Sequence, residues 1–203
     1  MLYYDEAFPA MDSFDWLVVM GGPMNVYEEK DYPFLAREKK FIVDAIGQKK
    51  RVLGVCLGAQ LISDVLGGKV TNGPHKEIGW HKVTLTPEAK KSPVFGRLPA
   101  EFVAFHWHGD TFAIPASAKR MASSEAYENQ AFEHDGGRVV GLQFHLEMTD
   151  DGINRLAKNN SDDLVPGKYV QDKDDLLHKD GLLQENYRLL SILLDGMAKI
   201  SIK

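Results

Sequence analysis

Arg51-Val52-Leu53-Gly54-Val55-Cys56-Leu57-Gly58-Ala59-Gln60 carries an apolar run into the only cysteine of a 203-residue chain. Residues 51–55 have the continuous apolar character of a strand buried on both faces. Residues 57–66 have helical spacing and stop at Gly67-Gly68. A strand that enters Gly-x-Cys-x-Gly and a helix that leaves it make the cysteine form of a nucleophile elbow. The glycines permit a tight turn and close backbone approach. Such a turn lifts the sulfur to the carboxyl end of a strand, where open α/β sheets bind ligands. It also places the sulfur at a helix N-terminus, whose partial positive charge favours the thiolate. A lone cysteine is otherwise most often a small buried hydrophobe. The elbow context reverses that preference.

Working outward, residues 16–20 (WLVVM) form another apolar run, which ends at Gly21-Gly22-Pro23. Residues 33–46 show helical apolar spacing before Gly47. Strand, helix, strand, helix in succession predicts an α/β domain on a parallel sheet. Residues 69–86 and 101–114 are strand-like pieces broken by Gly and Pro, which predicts short antiparallel hairpins. Residues 139–144 read as a buried strand ending at His145. Residues 159–175 read as a polar loop or linker, and 182–197 as a closing helix. The organisation expected is one domain over 1–203.

A cysteine nucleophile needs a base and a group to orient it. Gln143-Phe144-His145-Leu146-Glu147 offers both. Residues two apart in an extended segment project to one side, so His145 can face the sulfur while Glu147 sets its tautomer. His-x-Glu alone is a weak signal and becomes strong only beside the elbow. Thioester chemistry also needs oxyanion donors. The backbone N–H groups of Gly22, in Gly21-Gly22-Pro23-Met24, and of Leu57 are assigned that role, although Gly-Gly-Pro alone would read as a plain turn.

The remaining composition mostly excludes. One cysteine rules out an intramolecular disulfide and favours a reducing, cytoplasmic setting. No stretch approaches the ~18 apolar residues of a membrane span. The acidic N-terminal segment does not read as a signal peptide. A net charge of −5 without a basic patch argues against nucleic acid. Lys49-Lys50-Arg51 reads as the solvated end of a helix. His106 and His108 alternate and could share a strand face. No His-Glu-x-x-His helix or cysteine pair accompanies them, so no metal site is expected, and His106 reads as a polar group satisfied within a hairpin. No cofactor is called for. No Gly-x-x-x-x-Gly-Lys-Ser/Thr loop is present to activate an acceptor with ATP.

Gly-Gly-Pro, Gly-Val-Cys-Leu-Gly-Ala-Gln and His-x-Glu occur in an order and spacing that resemble class I glutamine amidotransferases, most closely the stand-alone GMP synthase-like type. Glu77-Ile78-Gly79-Trp80, residues 105–112 (FHWHGDTF) and Asn129-Gln130-Ala131-Phe132 support the resemblance. It covers residues 12–150 well and the C-terminal helix loosely. It implies a flavodoxin-like three-layer sandwich with a mostly parallel central sheet and a small antiparallel hairpin region. It implies glutamine amide hydrolysis by Cys56, His145 and Glu147 through a γ-glutamyl thioester, with ammonia released to a separate synthetase subunit or to solvent. It also implies that Gln60 holds substrate and that His108 and Asp110 lie near the pocket. A γ-glutamyl peptide or amide as substrate, and a non-catalytic regulatory or binding domain, are the rival readings. Leu146 stands where the family often has proline, which His–Glu pairing does not require. The family's opening strand–helix unit, ahead of Leu2–Tyr4, has no counterpart here. Either another segment fills the gap, or the sheet misses a central strand; the expectation adopted is a natural chain longer by roughly 30 residues, with a tendency of residues 1–203 to associate into a homo-oligomer through the open sheet.

Overall fold

A computed structural model describes residues 6–177 and 181–201. The strand material expected at Leu2–Tyr4 lies outside them. The chain forms β1 (Trp16–Val19), α1 (Phe34–Gly47), β2 (Arg51–Val55), α2 (Leu57–Val65), β3 (Val70–Leu85), β4 (Glu101–Phe112), β5 (Ala118–Ser123), β6 (Ala131–His134), β7 (Val139–Leu142), α3 (Asp150–Asn159), α4 (Lys173–Leu177) and α5 (Leu182–Ala198). The strands make one sheet in the order β1-β2-β7-β6-β5-β3-β4.

The β1–β2 and β2–β7 pairings are parallel. The β7–β6, β6–β5, β5–β3 and β3–β4 pairings are antiparallel. The sheet is thus mixed, and the expected mostly parallel sheet is not what forms. Two things account for the difference. The short strands β5 and β6 interleave apolar with charged and polar residues, so their sequence shows no continuous buried run. The hairpin is also large: β3 spans 16 residues and β4 spans 12. Gly73 and Pro74 only shift its register, between Asn72 and Glu77, instead of ending the strand.

The central strands alternate their side chains between two apolar layers, as the period of a strand requires. Val52 and Val139 join Leu35, Ile42, Leu61 and Ile62 of α1 and α2 on one face. Leu53 and Val140 join Leu189, Leu193 and Met197 of α5 on the other. A third cluster packs Ile153, Ala157 and Leu176 of α3 and α4 against Ile78, Trp80 and Phe105 of the long hairpin. The segment expected as a linker therefore contains a 3-10 turn, Ser161–Asp163, and the start of α4, and its Leu164 and Val170 pack against the cluster on β3. The basic run after α1 is not simply solvated. Arg51 donates to the carbonyls of Met197, Ala198 and Ile200, which satisfies the orphan acceptors at the end of α5.

β1 is less buried than its apolar sequence suggests. Val18 is 48% exposed and the following Met20 47%. Among the described residues β1 pairs with β2 alone. The expected gap does not fall between β1, β2 and β7, which form a continuous ladder.

α2 lies very close to β1 and β2, and glycine permits it. A Cβ on Gly58 would collide with the Val19 carbonyl oxygen, and one on Gly54 would sit 2.5 Å from the Gly58 carbonyl. Gly47, by contrast, has nothing within 4 Å of such an atom. Gly58→Ala should therefore destabilise by ~1–3 kcal/mol or more through overpacking. Gly47→Ala should be neutral or stabilising by up to ~1 kcal/mol. Chemical denaturation of both variants checks this, and equal effects would mean that the close approach is not needed.

Candidate active site

Cys56 follows β2 directly and precedes α2. Its backbone sits at φ 52°, ψ −111°, a positive-φ conformation rare for any residue with a side chain. Two hydrogen bonds hold it there. Its N–H donates to Leu142 O at 2.8 Å, and its carbonyl accepts from Gln60 N at 3.1 Å. The first extends the β2–β7 ladder and the second closes the first turn of α2. A local strain of ~1–3 kcal/mol is sustainable only with such support.

β7 ends at Leu142 beside Val55, so the residues that follow it arrive level with Cys56. His145 is fixed there by backbone hydrogen bonds with Phe105 of β4, at 2.8 and 3.3 Å. Its Nδ1 lies 2.6 Å from Glu147 Oε1, and Glu147 Oε2 accepts from Leu146 N at 3.0 Å. With Nδ1 taken, Nε2 is the nitrogen left for the hydrogen bond between His145 and Cys56. Burial works against a charged imidazole, but the Glu147 carboxylate and the Cys56 sulfur outweigh it and raise His145 to about 10. Burial likewise opposes the Glu147 anion, and His145 outweighs it, holding the carboxyl below its usual range. Gly21 lies against this pair: a Cβ there would be 3.4 Å from both Cys56 Cβ and His145 Cε1.

A cavity of about 820 Å³ opens over the sulfur. Cys56, His145, Glu147, Gly22, Leu57, Gln60, His108 and Asp110 all line it. The structure thus places the expected triad, oxyanion and substrate residues along one space. Arg155, Leu156 and Asn159 of α3 line it too, and the sequence pattern does not mark them. Gln60 is buried, and its Nε2 donates to Gln143 Oε1 at 3.1 Å and Asp110 O at 3.4 Å. Asp110 Oδ1 accepts from Asn72 Nδ2 at 3.2 Å. Gln143, whose Nε2 is 3.7 Å from Cys56 Sγ, is a site residue that the motifs do not single out. Its position two before His145 is the available signal, since alternation turns both toward the same side.

The glutamine amidotransferase class-I family profile matches residues 2–159. The chain belongs to the class-I glutamine amidotransferase family. It is 34% identical over 168 residues to the glutamine amidotransferase-like protein YfeJ of Salmonella typhimurium, covering 81% of this chain and 70% of that one. It is 33% identical to a glutamine-hydrolyzing GMP synthase subunit of Thermoplasma acidophilum, covering 68% of this chain and 66% of that one. It spans only 26% of the GMP synthase of Bacteroides fragilis. A crystal structure of a Thermotoga maritima glutamine amidotransferase superposes with a TM-score of 0.87 at 35% identity, covering 98% of this chain and 85% of that one.

The chain also holds a second buried carboxylate–histidine cluster, in the long hairpin. Glu77 Oε2 lies 3.0 Å from His108 Nε2 and 3.2 Å from His106 Nδ1. Their ligand atoms fall within 4.8 Å of one another, a spacing that could hold a metal ion. Protein donors already occupy that oxygen, however. Gln130 Nε2 donates to it at 2.5 Å. His108 Nδ1 also lies 3.0 Å from Asp110 O, so both of its ring nitrogens are engaged. Burial alone would raise Glu77, and the two histidines outweigh it, holding the carboxyl far below its usual range. Burial pushes His106 down to about 4 despite Glu77, so its ring is neutral. Among the described residues neither ring nitrogen of His106 makes a hydrogen bond, contrary to the satisfied hairpin histidine expected.

The raised His145 has a consequence for stability. A folded value of about 10 against an unfolded value near 6.5 means that the folded chain holds the proton more tightly. That stabilisation is complete below pH ~6.5 and is lost as pH rises toward 10. The melting temperature of the parent should therefore fall more steeply between those limits than that of His145→Asn. Parallel profiles would show that the histidine is not held charged.

Proposed function

We propose that the chain hydrolyses the side-chain amide of glutamine through a γ-glutamyl thioester on Cys56. The observation that carries this reading is the contact chain Cys56–His145–Glu147 at the floor of the cavity, with His145 Nδ1 2.6 Å from Glu147. Family membership supports the reaction class.

In this mechanism Cys56 Sγ attacks the amide carbon, and the negative charge moves to the carbonyl oxygen. The N–H groups of Leu57 and Gly22 receive that charge. Leu57 is the first residue of α2, where a helix leaves its N–H without an internal acceptor. Gly22 lies against it: a Cβ there would be 3.0 Å from Leu57 Cδ2. The C–N bond breaks as His145 gives its proton to the leaving nitrogen, and ammonia departs. Water then attacks the thioester while His145 takes its proton. The C–S bond breaks, the electron pair returns to sulfur, and glutamate leaves. Glu147 holds the imidazole in register throughout.

Relatives named as glutamine-hydrolyzing subunits of GMP synthase support delivery of ammonia to a separate synthetase subunit. Chemistry that depends on a reduced thiol fits a cytoplasmic setting, and no helix among the described residues is long and apolar enough to cross a membrane. The size of the cavity favours a second reading. About 820 Å³ falls in the range that encloses a drug-sized ligand, and the α3 wall extends beyond the triad. A γ-glutamyl amide or peptide, with its amine part lying along Arg155 and Asn159, would use that space.

Ammonia or amine release from glutamine and from a series of γ-glutamyl amides decides between them. Activity on either should vanish in Cys56→Ala and fall ~10²–10⁴-fold in Glu147→Gln. Turnover surviving in Cys56→Ala would overturn the nucleophile. A parent inactive on every substrate would favour a non-catalytic domain.

A further inference from the structure

The sulfur has a neighbour that the triad does not use. Gln143 is fully buried, and its Nε2 donates to Cys56 Sγ across 3.7 Å. A glutamine amide can present either its nitrogen or its oxygen, and its surroundings decide which. Here a relay decides. The Asp110 backbone carbonyl can only accept, and it faces the Gln60 amide nitrogen at 3.4 Å. That fixes which end of Gln60 carries N–H. The same nitrogen donates to Gln143 Oε1 at 3.1 Å. With its oxygen held by Gln60, Gln143 has only N–H left for the sulfur. His108 Nδ1, also on the Asp110 carbonyl, steadies the far end of the relay.

We propose that Gln143 is a further catalytic residue, donating an N–H···S hydrogen bond that stabilises the Cys56 thiolate, and that Gln60 is the positioning residue that orients it. This rests on Cys56 being the nucleophile. A buried thiolate has lost its hydration, and donors must replace it. His145 supplies one on the Glu147 side. Gln143 supplies a second from the segment directly after β7, and it keeps this donor after His145 has passed its proton to the leaving nitrogen. The same bond receives the sulfur again when the thioester C–S bond breaks. The assignment changes the role of Gln60. The amide nitrogen that would greet a substrate is already engaged with Gln143 and Asp110, so Gln60 acts on the sulfur through Gln143.

The chain has a single thiol, so iodoacetamide labelling followed by intact mass reads Cys56 alone and needs no substrate. Gln143→Leu removes the donor at similar volume. Its labelling rate near neutral pH should fall about tenfold, and the pH of half-maximal rate should rise by about one unit, the scale of a hydrogen bond to a charged group. Gln60→Leu should shift both in the same direction by less, because Gln143 stays but is free to turn. A packing role alone would lower the melting temperature without moving the pH profile. Variants that melt cooperatively yet label with the parent's rate and profile would overturn the proposal. Should Gln143→Leu fail to fold, Gln143→Met is read by the same criterion, beside Gln60→Leu. A parent that labels rapidly but turns over no glutamine or γ-glutamyl amide would sink the proposed reaction and leave this assignment to the labelling data.

Discussion

Cys56 is held at φ 52° by hydrogen bonds from two elements at once. One residue has to end a strand, start a helix and point its side chain upward. It can do so only if α2 descends onto the sheet without Cβ atoms in the way. Gly54 and Gly58, two residues to either side, provide that clearance. The tight approach lets β2 run straight into the sulfur. The parallel neighbour β7 then delivers Gln143 and His145 to the same height. The antiparallel half of the sheet completes the site from the other side, since β4 pairs its backbone with His145 and carries Trp107, His108 and Asp110 into the cavity.

Electrostatics distinguish two histidine–carboxylate groupings that look alike in composition. His145 stands between an anion and a sulfur, and it gains a proton despite its burial. His106 is buried more completely, shares its carboxylate with His108 and Gln130, and loses its proton. Both members of the first grouping, His145 and Glu147, line the cavity. Of the second, only His108 reaches the cavity, and it braces the Asp110 carbonyl on which Gln60 rests.

Much of this is legible in the sequence because glycine and cysteine are unambiguous at such a turn. Residues 51–60 mark β2, the elbow and α2 nearly to the residue, and His-x-Glu marks the partner strand. Pattern and context diverge elsewhere. Ala118–Ser123 and Ala131–His134 are short and mix charged with small residues, so propensity alone does not separate them from loop. Without them the sheet reads as mostly parallel. Gly73 and Pro74 suggest a break, yet the long hairpin absorbs them as a register shift. The cavity wall on α3 is invisible in the sequence because Arg155 and Asn159 are ordinary polar residues of an amphipathic helix until the fold brings them to the cavity that Cys56 also lines. Gln143 is hidden in plain view: only the folded chain turns the Gln60 nitrogen onto its oxygen and so its own nitrogen toward Cys56.

The central claim is that this sulfur takes up the acyl group. Acid quenching of the parent protein during turnover of glutamine, followed by peptide mass analysis, tests it directly. The peptide containing Cys56 should gain the mass of one glutamyl unit, and the adduct should be removed by mild hydroxylamine, as a thioester is. Steady turnover with Cys56 unmodified, or with the glutamyl unit on another residue, would contradict the account.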